Sequence, residues 1–157
     1  LLLAISAKVQ VPFWPVPMTM QTFVIFLIGM TYGIRLSFAT VAVYLFEGAA
    51  DLPVFASGGG IVYLTGPTAG YLYGMLFASV AISYLANLGF SKTYFKATLS
   101  LLVGAIIIFA FGIIYLGSII GFEKAIVAGL LPFIPSEIFK IALAVTLIPT
   151  IQKVIKK

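Results

Sequence analysis

The stretch FKATLSLLVGAIIIFAFGIIYLGSII, Phe95 to Ile120, decides the class of this protein. After Lys96 it carries no charge, and it stays continuously apolar far beyond the roughly ten alternating residues of a membrane β-strand. It exceeds the roughly 20 residues with which a helix crosses the bilayer. The reading is a membrane helix, and the rest of the chain repeats the pattern.

Of the 157 residues, 62% are hydrophobic and 8% charged, and the mean hydropathy is +1.22. Soluble domains carry about 25% charged residues, so the polar surface needed to coat a soluble globule is missing. The expectation is an all-α polytopic membrane protein, a bundle of six transmembrane helices forming one integral membrane domain over residues 1–157. The chain starts at Leu1 without Met. LLLAISA is read as the remnant of a truncated first helix rather than as a signal-peptide core, because no soluble domain follows it.

Breakers divide the apolar runs. The first ends near Val11, before Pro12, Pro15 and Pro17, which lack backbone donors. The second covers Met18 to Tyr32 and closes at Gly33, and the third covers Ile34 to about Ala50. A Gly/Pro-rich loop follows, and the fourth run starts near Pro67, a favoured first-turn residue, and ends near Leu88. The fifth is the opening stretch. Gly121 to Leu131 reads either as a short helix or as a loop, and the sixth run spans Pro135 to Val154.

With alternating spans and a cytoplasmic C-terminus, Arg35, Lys92, Lys96, Lys153, Lys156 and Lys157 fall inside, and Lys8 and Lys124 outside. That asymmetry obeys the positive-inside rule. It also gathers three unusual stretches on the outer face: VPFWPVP, the Gly-rich loop and the start of the last helix. Glycines at four-residue spacing (Gly66, Gly70, Gly74; Gly117, Gly121; Gly29, Gly33) suit close helix packing in lipid.

Within those stretches a few residues carry chemistry. Glu137 and Lys140 share one helix face, and a charge in mid-membrane costs about 2.5–3.5 kcal/mol on insertion scales. Either they are an end-of-helix pair or they hold a small polar solute. Gly58, Gly59 and Gly60 either expose backbone donors to a ligand or form a flexible turn. Pro67 and Thr68 open helix four, Tyr71 and Tyr73 in its first turns are either an interfacial belt or ligand contacts, and Trp14 is either an interface anchor or a ligand lid. Thr19 and Gln21 are polar groups of buried character, and Glu47 lies one turn deeper than Asp51.

The chain has no Cys and no His. Disulfides, thiol chemistry and the commonest metal ligands are thereby excluded. An enzyme without Cys or His would need paired carboxylates, a Ser/Lys dyad or an exogenous metal. Ser136 and Lys140, one helical turn apart, allow a dyad, and no second feature supports it. No basic cluster interleaved with aromatics points to nucleic acid, and no nucleotide-binding P-loop occurs. The expectation is a protein that is not an enzyme and carries no cofactor.

Four stretches in order, VPFWPVPMTMQTF (Val11–Phe23), LPVFASGGG (Leu52–Gly60), GPTAGYLYG (Gly66–Gly74) and PFIPSEIFK (Pro132–Lys140), resemble the signature stretches of the BioY family. Those proteins are biotin-specific substrate-binding (S) components of energy-coupling factor (ECF) vitamin transporters. The resemblance implies a six-helix protein of the cytoplasmic membrane that binds biotin from outside. Its implied partners are a membrane coupling (T) subunit and two cytoplasmic ABC-type ATPases.

By position, the family's last-helix acid and base fall on Glu137 and Lys140, and its second-loop glycines on Gly58, Gly59 and Gly60. Ser136-Glu137 stands where many relatives have Gly-Asp, and Ala69 where Gly is more usual. Ala4, Ser6 and Ala7 are the small first-helix residues of the kind that dock the coupling subunit. For biotin the expectation is that Glu137 accepts ureido N–H bonds and Lys140 donates to the ureido carbonyl or the tail carboxylate. Trp14, Phe55 and Tyr71 cover the ring, and Lys8 is a second candidate for the carboxylate. Two other classes stay open: a carrier for another small solute, and a membrane structural or assembly subunit.

Overall fold

The computed structural model describes residues 1–155. Lys156 and Lys157, two of the basic residues placed inside by the charge pattern, lie outside the described residues. Seven α-helices follow one another among them: α1 (Leu2–Lys8), α2 (Gln21–Thr31), α3 (Ile34–Ala49), α4 (Ala69–Leu85), α5 (Tyr94–Ile120), α6 (Phe122–Gly129) and α7 (Ile134–Ile155). Among the described residues, three stretches are long and apolar enough to cross a bilayer: Ala69–Phe90, Tyr94–Ile120 and Phe122–Val154. The helical class stands as read, and α5 begins one residue before the expected start.

The differences lie at the loop ends. Met18 and Thr19 do not open a helix; they form strand β2, paired antiparallel with β1 (Gln10–Val11). Pro12, Pro15 and Pro17 crowd the turn, and a residue before proline is pushed away from helical angles. The chain therefore doubles back before α2 can start. Pro67 sits in a turn and Thr68 takes the N-cap position of α4. Gly121 to Leu131, left open between helix and loop, is largely the short α6.

Packing is closest between α4 and α5, and glycine makes that contact. A Cβ on Gly70 would lie 2.5 Å from the Phe111 carbonyl oxygen, and one on Gly74 2.8 Å from the Ile108 Cα. Gly29 of α2 and Gly104 of α5 both receive the Ile82 side chain of α4. These glycines thus serve packing within the bundle. The helix ends then sort to two poles. At one, Gly33, Lys92 and Gln152 line a common cleft. At the other, the β1–β2 hairpin, the loop after α3 and the start of α7 converge.

Replacing Gly74 with Val should drive new atoms into α5 backbone and destabilise the protein by about 1–3 kcal/mol. Thermal unfolding in detergent measures it, and an unchanged midpoint would show that α4 and α5 separate without cost.

Candidate functional site

Where the three stretches meet, a slot opens between α2, α4, α5 and α7. It holds about 480 Å³ of atom-free space, of which about 40 Å³ is reached by the centre of a water molecule. It is therefore narrow. Its apolar walls come from Tyr71, Leu72, Met75, Ile108, Phe109 and Phe133. Tyr71 and Phe109 meet edge to face at 5.9 Å, and Phe109 and Phe133 at 6.0 Å. The Tyr71 hydroxyl donates to the Gly129 carbonyl at 2.7 Å, fixing the ring and tying α4 to the end of α6.

The polar end is built on Glu137 and Lys140, which are 6% and 2% exposed. Three residues apart in the first turns of α7, they sit side by side. Lys140 Nζ donates to Glu137 Oε1 at 2.7 Å, to Thr22 Oγ1 at 3.0 Å and to the Thr19 carbonyl at 2.6 Å. Thr22 Oγ1 in turn donates to Glu137 Oε1 at 2.9 Å. An ammonium has three N–H donors, and all three are committed. Glu137 Oε2, by contrast, is buried with no hydrogen-bond partner among the described residues. The slot thus keeps one strong acceptor free and no lysine donor. Ser136 takes no part in this cluster, so the Ser/Lys arrangement is not assembled.

Gln21, beside them, is 4% exposed. Its Nε2 donates to the Tyr44 hydroxyl at 2.7 Å, and its Oε1 accepts from Thr19 Oγ1 at 3.1 Å. Thr68, at the N-cap of α4, and Tyr63 line the slot nearer the loops, two turns above Met75. Their hydroxyls make no hydrogen bond among the described residues.

The structure brings Glu137, Lys140, Thr68 and Tyr71 together on the slot wall. The other expected residues lie outside it. Trp14 is 83% exposed and faces a groove with Ile119, Ile120 and α6 residues. Phe55 is fully buried behind the loop, 5.4 Å from Tyr44 and stacked 4.9 Å from Tyr63. A Cβ on Gly48 would overlap its ring. Gly58, Gly59 and Gly60 shape that loop: Gly58 and Gly60 have φ of +140° and +94°, and Gly59 lies against the Leu52 carbonyl. Lys8 Nζ donates to the Phe55 carbonyl at 2.7 Å.

Sequence reasoning left out Thr22, the third member of the acid–base cluster. A threonine one helical turn into an apolar run gives no signal by itself. Its position directly after Gln21, which stood out as polar, was the available hint.

The family-wide sequence pattern described as the BioY family matches residues 1–157. The chain belongs to the BioY family. It is 36% identical over 152 residues to the probable biotin transporter BioY of Pyrococcus horikoshii, covering 96% of this chain and 90% of that one. It is 34% identical over 154 residues to the biotin transporter BioY of Thermotoga maritima, covering 97% and 90%. Its fold superposes with a TM-score of 0.86 on the crystal structure of the S-component for biotin from an ECF-type ABC transporter. That match covers 97% of this chain and 85% of the other at 26% identity. This BioY member is a multi-pass membrane protein of a transporter family.

Lys140→Met leaves Glu137 buried without its cation and should destabilise the protein by about 3–5 kcal/mol. Adding Glu137→Gln should recover part of that loss, because the two effects are coupled. Denaturation of the single and double variants in detergent tests it; strictly additive losses would show that the pair is not coupled.

Proposed function

We infer that this chain binds biotin and takes it up across the membrane as the substrate-binding S component of an ECF transporter. The relatives it matches carry that activity in their names over nearly the whole chain. The observation within the site that carries the reading is the unpaired Glu137 Oε2. A buried acceptor left without a partner costs about 1–3 kcal/mol, more when charged, so a ligand that supplies an N–H there gains the difference. The ureido group of biotin supplies two.

The polar inventory orients the ligand. Because Lys140 spends its donors on Thr19, Thr22 and Glu137, the ureido N–H groups go to Glu137. Lys140 acts by holding that carboxylate in place. The apolar bicyclic ring lies between Tyr71, Phe109 and Phe133. The tail carboxylate then points toward the loops, where the Thr68 and Tyr63 hydroxyls are free to donate. Little water-accessible space remains between these walls, so the loops and side chains above the ring move aside for biotin to enter.

Residues 1–157 act as one substrate-binding membrane unit. The uptake step is assigned to an assembly with a membrane coupling (T) subunit and cytoplasmic ABC-type ATPases, since the sequence has no ATPase motif of its own. The membrane is the cytoplasmic one, with the C-terminus inside, supported by the basic residues Arg35, Lys92, Lys96 and Lys153 in the sequence and by the cleft that Lys92 lines with Gly33 and Gln152.

Glu137→Gln places an amide donor against the ureido donors and should weaken biotin binding by roughly 10- to 100-fold, as for hydrogen bonds to charged groups. Calorimetric titration with biotin and with an N-methylated ureido analogue measures it. Unchanged affinity in both Glu137→Gln and Lys140→Met would sink the assignment.

A further inference from the structure

The loop that walls the slot is held by an arrangement that the binding chemistry does not explain. Three successive backbone carbonyls, Val54, Phe55 and Ala56, each accept a hydrogen bond from a side chain on a different element. The Tyr44 hydroxyl of α3 donates to Val54 at 3.0 Å, Lys8 Nζ of α1 to Phe55 at 2.7 Å, and Gln10 Nε2 of β1 to Ala56 at 3.0 Å. Three side-chain donors thus fix this stretch of backbone, Lys8 and Gln10 from the N-terminal segment and Tyr44 from α3. No regular secondary structure does it for them: beyond these donors, the backbone of the segment has the isolated bridge Phe55 to Gly58 and a tight turn in which Val54 N–H donates to the Leu52 carbonyl at 2.7 Å.

The three bonds differ in one respect that gives the arrangement a direction. Tyr44 is 4% exposed and is itself held by Gln21, which lines the slot. Lys8 and Gln10 are exposed, so water competes for their bonds. Ala56, on the segment so held, and Tyr63, stacked on Phe55, form part of the slot wall. The Phe55 ring beneath acts as the pivot, packed against Gly48, Tyr44 and Tyr63.

We propose that Lys8, Gln10 and Tyr44 are positioning residues that clasp residues 54–56 over the slot, releasable on the Lys8–Gln10 side and pinned at Tyr44, and so set how long the ligand stays bound. The proposal rests on the slot being the biotin site. It assigns Lys8 to the loop backbone rather than to the ligand carboxylate, because its ammonium lies on Phe55 and outside the slot lining.

Two readouts on Lys8→Met, Gln10→Leu and Tyr44→Phe test it in purified, lipid-reconstituted protein. The first is backbone hydrogen exchange without ligand. The amides of Phe55, Gly58 and Gly60 should exchange roughly tenfold faster, the effect of losing one net hydrogen bond, with the helices unchanged and Lys8→Arg restoring protection. The second is dissociation of biotin and of its carboxamide: both should leave roughly tenfold faster from Lys8→Met, by the same factor. Unaltered loop exchange would overturn the clasp. So would a Lys8→Met defect confined to biotin, which would place Lys8 on the carboxylate. If the unmodified protein holds no biotin while the loop exchange behaves as expected, the ligand reading fails and takes the residence-time role with it, and only the backbone clasp stands.

Discussion

The polar join of α7 to α2 at the loop pole turns on one buried ammonium. Lys140 belongs to α7, yet its three donors reach the carboxylate beside it, a hydroxyl of α2 and a carbonyl of the hairpin that precedes α2. In a low-dielectric interior such a group is tolerated only when its valences are met. The position of α7 relative to α2 is therefore set by the geometry of a single nitrogen. The same satisfaction creates the site: once the lysine is saturated and Oε1 takes two bonds, Oε2 is the group left over.

The long runs were legible because lipid imposes a length rule that single residues cannot blur. The α5 boundaries follow from the apolar run alone, and the meeting of three loops follows from counting crossings. The helix starts at the loop pole were not legible from hydropathy. Met18 and Thr19 run straight into the apolar stretch of α2, and only the pairing with Val11 and Gln10 makes them a strand.

Within the site, Glu137 and Lys140 stood out because charge is rare in this chain. The partners that give them meaning did not, since Thr22 lies 115 positions from Glu137 and 118 from Lys140. Phe55 and Trp14 show the same limit from the other side. Both are large aromatics in loops of similar composition, but one is a buried pivot and the other faces outward, and that difference depends on contacts with Gly48 and with α6 that have no local signature.

One further consequence follows from the length of α2. Its 11 residues rise about 16 Å at 1.5 Å each, roughly half of a 30 Å hydrocarbon layer. On its loop side α2 is preceded by the non-helical backbone of the β1–β2 hairpin. Such backbone is tolerated at that depth only where protein surrounds it or where it lines a cavity. For the hairpin that precedes α2 that shelter is the protein itself: Lys140 of α7 holds the Thr19 carbonyl, and Gln10 lies against the Ala56 carbonyl of the loop after α3.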